Sequence, residues 1–253
     1  MNPRSAGFVV ALALAVVPVT RAGFFDFFKH DFEVITVTDM TPEGRLRVPP
    51  TPANPAYYIP VSLGYRDFGG IVAGIKAPPK EEVYRAVGKV LSKHGFLPAT
   101  EKTPAPTLLL VFAWGTLNAD YDPGVTFEGA TFEVQRNRHQ ILKFLGGYKL
   151  GYSEHDFDPL TAMPGLLVHR SYEAQALNDV ATEDFYVAVV SAYDLDAARH
   201  KQKKLLWMTR MSCPSIGFAM PDVLPAMLEV GGPNIGRETD RPVWVNVSDH
   251  FKG

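Results

Sequence analysis

The apolar and polar positions fall into a few clear rhythms along the chain. In "PPKEEVYRAVGKVLSKHGF", Val83, Val87, Val90, Leu91 and His94 form one stripe at helical spacing. Pro79 suits the first turn, and Glu81 and Glu82 favour the positive end of the helix dipole. Gly95 is placed for a left-handed cap, and Pro98 stops the helix. "TLLLVFAWGTL" (107–117) is apolar on both faces, which predicts a central strand rather than an edge. "DFYVAVVSAYDLD" (184–196) has the same character, and the turn "AARHKQ" joins it to "KKLLWMTRMSC" as an antiparallel hairpin.

The remaining rhythm is shorter. "AYYIPVSLGY" (56–65) and "RPVWVNV" (241–247) alternate as strands, and "FEVITVTD" reads as a short one. "TFEVQRNRHQILKFLGG" (131–147), "SYEAQALNDVA" (171–181) and "MPDVLPAMLEVGG" (220–232) read as helices. "NADYDPG" (118–124) is turn chemistry, and residues 148–165 read as a loop. Six prolines between Pro42 and Pro60 mark 41–56 as an extended surface linker. The sum is an α+β fold: a mixed, largely antiparallel sheet of about five strands with helices packed on at least one face. It is expected as a single domain over 57–253, preceded by a Phe-rich and Pro-rich arm over 23–56.

Composition changes this picture at one end. "MNPRSAGFVVALALAVVPVTRA" has a positive start at Arg4, an apolar run from Ala6 to Val19, and Thr20 and Ala22 at the −3 and −1 positions of a cut before Gly23. Residues 1–22 therefore read as a secretory signal peptide, with an apolar run short of the ~20 residues that span a bilayer. No cysteine lies near that cut, so no lipid attachment is expected there. The single cysteine, Cys213, excludes an internal disulfide, so an exported fold must stand on its core. The net charge of −2 gives no pull toward nucleic acid, and no nucleic-acid partner is expected. In "GFFDFFKHDF", Phe24, Phe25, Phe28 and Phe32 share one helical face and could touch a membrane surface or pack on the domain itself.

Candidate chemistry is sparse. Strand alternation puts Leu205, Trp207, Thr209, Met211 and Cys213 on one face, with Leu206, Met208, Arg210 and Ser212 on the other. A nucleophilic thiol needs a nearby imidazole, cation or helix start, and His200 lies at the far end of the hairpin from Cys213. Cys213 is therefore expected as a buried filler side chain. Asp194 and Arg210 are charges on an otherwise apolar hairpin and need partners, either each other or a ligand at the sheet rim. Glu154, His155, Asp156 and Asp158 in "YSEHDFD" match neither a calcium loop nor a zinc site. "RNRH" (136–139) reads as a solvated helix face, and "GGPNIGRE" (231–238) lacks the order of a phosphate loop. No metal or cofactor is expected.

The helix ending in Gly95 and Phe96, the apolar strand after it, the strand closing on Asp194, and the strand carrying Leu206, Trp207 and Arg210 together form a pattern. It resembles small α+β envelope proteins of Gram-negative bacteria, often lipoproteins, known as domains of unknown function. The resemblance covers about half of the chain after residue 22. It supplies no catalytic residues, the lipobox cysteine has no counterpart here, and 118–182 stands as an insertion. It implies an exported, periplasmic, non-enzymatic structural or binding protein, whose partner is an envelope protein or a small molecule. The alternative is a ligand-binding or enzymatic site at the sheet rim near Asp194, Trp207, Arg210 and Cys213, with 148–165 as a lid.

Overall fold

The long apolar runs become strands, and seven strands join into one open sheet in the computed structural model. The structure describes residues 32–70, 75–127, 130–153, 156 and 171–252, within a compact unit Asp31–Gly253. In chain order the elements are β1 (Glu33–Met40), α1 (Pro42–Arg45), β2 (Ala56–Asp67), α2 (Lys80–Lys93), β3 (Phe96–Pro98) and β4 (Leu108–Leu117). Then come β5 (Tyr121–Phe127), β6 (Ala130–Gln135), α3 (Arg138–Phe144), α4 (Tyr172–Val180), β7 (Phe185–Asp194) and α5 (Leu195–Arg199). The chain closes with β8 (Leu205–Pro214), α6 (Met220–Gly231), β9 (Val243–Asn246) and α7 (Val247–Lys252).

The sheet order is β3-β2-β4-β7-β8-β1-β9. β2 runs parallel to β3 and β4, and every other pairing is antiparallel. The sheet is thus mixed and mostly antiparallel, with two more strands than the pattern alone suggests. One is β1, expected as a short strand within the arm and instead held between β8 and β9 with Val34, Ile35 and Val37 buried. The other is β3, three residues that form as soon as Gly95 releases α2. Gly95 has φ +84, and a Cβ there would lie 2.4 Å from the backbone of Thr51, so only glycine fits.

The expected arm over 23–56 therefore needs correction. Residues 33–40 are an inner strand, and the linker after them is anchored. Thr41 caps α1, and its amide donates to the Leu206 carbonyl at 2.9 Å. A second correction concerns 118–147. Residues expected as turn and helix form the hairpin β5–β6, and α3 begins only at Arg138. β-branched and aromatic residues at 131, 132 and 134 fit a pleated strand better than a helix.

α2 and α6 cover one face of the sheet. Val83, Val87, Leu224 and Leu228 meet Phe112, Trp114, Ala188 and Val190 there. α3 and α4 cover part of the other, where Ile141, Leu142, Leu145 and Leu177 cluster with Leu117, Phe185 and Val187. These helices have 7 and 9 residues against ten in β4 or β7. At 1.5 Å per residue they reach less than half of a strand length. Leu109, Val111 and Val189 are accordingly only half-buried on that face.

Candidate functional site

The structure disperses the four residues expected at one rim. Cys213 is fully buried, and burial pushes its thiol well above the ordinary range. It faces the α6 side with Met211 and Trp207. His200 precedes the opposite end of β8. Trp207 is 5 % exposed and packs on Phe96, ring centroids 5.5 Å apart. It walls a small cavity of about 110 Å³ with Met40, Gly44, Pro50 and Gly236.

Asp194 and Arg210 do not meet. The Asp194 carboxylate caps α5 by accepting from the Ala197 amide at 2.9 Å and pairs with Arg47. That amide and the Arg47 guanidinium hold its carboxyl below the usual range, against the pull of burial. Arg210 emerges on the opposite face of β8 from Cys213. It donates to Asp39 at 2.5 Å, to the Tyr148 hydroxyl at 2.7 Å and to the Lys143 carbonyl at 2.9 Å. The expected ion pair within the hairpin is replaced by two pairs to residues far upstream.

Asp39 belongs to a wider polar network. Lys149 lies 3.1 Å from Asp39 and 2.8 Å from Glu238, and Glu238 also takes Arg45 and the Met40 amide. Burial works to raise the Glu238 carboxyl, but Lys149, the Met40 amide and Arg45 outweigh it and leave it lowered. Each charge here has a partner of opposite sign, so the network fastens β1 to the segments after α3 and α6.

Phe32 is buried and packs tilted against Phe218, ring centroids 5.1 Å apart, so it is no part of a membrane-facing arm. Phe24, Phe25, Phe28, residues 1–22 and most of "YSEHDFD" lie outside the described residues. Among the described residues no cluster of three His, Cys, Asp or Glu side chains could hold a metal, and no helix is long and apolar enough to cross a membrane.

The arrangement that points to binding lies elsewhere, along β2. β3 pairs only with Ala56, Tyr57 and Tyr58. Among the described residues, no strand pairs with the outer edge of β2 beyond Tyr58. Beside this edge a cavity of about 330 Å³ opens between β2 and α2. Tyr58, Pro60 and Ser62 form its strand wall, Tyr84 and Gly88 its helix wall, and Phe112 its floor. Tyr84 stands edge-on to Phe112 at 5.2 Å, and Lys80 Nζ lies 5.3 Å from the Tyr84 ring centre. Hydrogen bonding to Lys80 draws the Tyr84 phenol below its ordinary range.

Gly88 keeps this space open. A Cβ added there would meet nothing within 4 Å. On the other face of β2, Ile59 and Val61 are each 37 % exposed, and Leu63 at the bulge is 49 % exposed. Among the described residues lining the cavity there is no carboxylate, imidazole or thiol. Its lining is mainly apolar, with the Tyr84 phenol, hydrogen-bonded to Lys80, and the Ser62 hydroxyl among its polar groups, and it suits an apolar guest. The signal for it stood in "AYYIPVSLGYRD" and went unused. A proline inside an alternating run marks an edge strand, and a glycine inside a helical stripe marks a close approach or a gap.

No protein-family model matches the chain, and no curated protein matches it by sequence. Among solved structures it is similar to a PDZ domain protein from Parabacteroides distasonis ATCC 8503, at 10% identity and TM-score 0.41. That match covers 86% of this chain, which spans 39% of the other's length. It is also similar to a DUF4136 family protein from Bacteroides thetaiotaomicron VPI-5482, at 11% identity and TM-score 0.33, covering 83% of this chain and 98% of that one. Both are bacterial proteins. Neither superposition is close enough to transfer a residue from one chain to the other.

Proposed function

We propose that the chain is a non-enzymatic binding protein that holds an apolar guest in the cleft between β2 and α2, and that it works in the bacterial cell envelope after export. The observation that carries the binding half is the cavity of about 330 Å³, mainly apolar and held open by Gly88, beside a strand edge that no strand among the described residues pairs with. The spent state of the reactive residues points the same way. The thiol is sealed in the core, and Asp194 and Arg210 are tied into caps and ion pairs. The envelope half rests on the amino-terminal pattern and on the family resemblance.

Nile red fluorescence tests the cleft. Wild type should bind the dye, and Gly88→Leu, whose side chain enters the cavity, should weaken binding by about tenfold or more while its melting temperature stays at or above that of wild type. Equal binding by both proteins would contradict the reading. Fractionation and amino-terminal sequencing after expression in a Gram-negative host test export. The expected result is a periplasmic chain beginning at Gly23, and an intact chain in the cytoplasm would contradict it.

A further inference from the structure

The outer edge of β2 is a column that β3 begins and then abandons. The Ala99 amide still reaches the Tyr58 carbonyl at 2.9 Å, and then the chain turns away through Thr100–Thr103. Backbone groups alternate direction along a strand. Tyr57 accepts from Thr107 on the β4 side and Tyr58 from Ala99 on the outer side, so Pro60 and Ser62 point outward. Past the bulge, the Phe68 amide donates to the Thr116 carbonyl of β4, so Arg66 points inward and Tyr65 and Asp67 point outward. Ser62, Tyr65 and Asp67 thus present amides and carbonyls to a position that no strand among the described residues fills, and Pro60 presents a carbonyl alone.

We infer that this edge takes an extended polypeptide segment of another protein as an added strand, continuing the line of β3, with an apolar side chain seated in the Gly88 cavity. This deepens the binding reading above and rests on it. The guest is a polypeptide because only a backbone supplies alternating donors and acceptors at the spacing of a strand edge, which an acyl chain or a small apolar molecule cannot do. Side chains opposite Pro60 and Ser62 fall on the cavity face, because directly paired residues share a face. The alternate side chains would lie beside Ile59 and Val61. A second copy of this chain fits less well. Two such edges would bring two prolines without amides and two register-shifting bulges between Ser62 and Gly64 into one pairing, where a regular guest strand meets each irregularity once.

The test uses the full chain and a fluorescein-labelled peptide of about eight residues, alternating valine and threonine between terminal lysines. Its partner probe is the same peptide with alternate backbone nitrogens methylated, which keeps the apolar surface and removes the edge hydrogen bonds. Wild type should bind the first peptide at least about tenfold tighter than the second. Binding should slow hydrogen exchange at the Ser62, Tyr65 and Asp67 amides. Gly88→Leu should weaken binding of the first peptide. Equal binding of the two peptides, no binding, or unchanged exchange at those amides would overturn the inference. If Nile red still binds in a Gly88-dependent way while the peptide does not, strand addition fails and the apolar cleft stands. If neither binds, both fail. Concentration-dependent protection of the same amides without peptide would identify a second copy as the occupant and overturn the commitment to another protein.

Discussion

Arg210 and Asp39 offer the sharpest test of whether the charged residue in the central hairpin is structural. The Arg210 side chain is 11% exposed and that of Asp39 is 39% exposed. The two single variants therefore leave unequal debts. Arg210→Met keeps the apolar stem and removes the charge. Asp39 then remains solvated, with Lys149 at 3.1 Å and the Tyr148 hydroxyl still in place. The loss is a few partly exposed hydrogen bonds, about 1–2 kcal/mol. Asp39→Ala instead strands a nearly buried guanidinium. It would keep only the neutral Tyr148 and Lys143 oxygens, and its Nε already has no partner. That costs about 3 kcal/mol, the lower end for a broken buried pair because one partner is partly exposed. For a chain of this size the expected shifts are about 2–8 °C for Arg210→Met and ~6–12 °C for Asp39→Ala. Thermal unfolding followed by circular dichroism reads these shifts, and urea unfolding followed by tryptophan fluorescence, at unchanged m-value, reads the free energies. If Arg210→Met costs as much as Asp39→Ala or more, or if neither moves the midpoint, the structural assignment of this pair is refuted.

Three further outcomes follow from the same geometry. Cys213→Ser places a hydroxyl where burial is complete and should cost about 1–3 kcal/mol. In wild type a thiol reagent should react only as fast as the protein unfolds, and rapid stoichiometric labelling without denaturant would contradict the buried assignment. Burial and then Arg237 hold the His94 imidazole below its ordinary 6.5. The unfolded chain thus takes the proton more readily, so the His94 contribution is full above about pH 6.5 and is lost as pH falls through that value toward the lowered folded-state pKa. His94→Gln should flatten the stability profile over that window in urea titrations, and an unchanged slope would contradict it. Gly44→Ala would set a Cβ 2.0 Å from the Leu206 carbonyl oxygen and should cost about 1–3 kcal/mol. Gly88→Ala, with open space at its Cβ, should gain up to about 1 kcal/mol of helix stability, and the reverse order by calorimetry would refute the two environments.

Periodicity made the middle of the fold legible. The runs around 110 and 190 do lie side by side inside the sheet, and the stripe through Val83 and Leu91 does face the core. Trp207, Met211 and Cys213 do share a face. What periodicity could not show was partnership across long stretches of chain. Arg210 finds Asp39 at a separation of 171 residues, and no local spacing encodes that pairing. The same limit hid the place of β1. "FEVITVTD" reads as a strand from its own residues, but its position between β8 and β9 depends on two distant segments. The central strand expected over 107–117 is less sheltered on one face than its apolar run suggests, because α3 and α4 are too short to reach Leu109 and Val111. The open edge of β2 was readable in principle from Pro60 and Gly64, residues that a strand tolerates mainly at an edge or a bulge.

Residue-resolved hydrogen exchange of the free protein tests the central claim most directly. If the β2 edge is open, the Ser62, Tyr65 and Asp67 amides should exchange nearly as fast as unstructured chain. Ile59, Val61 and Arg66, which face β4, should be protected together with Val111 and Val190 in the sheet interior. Uniform slow exchange across residues 59–67 would mean that the edge is already covered, and would contradict the account.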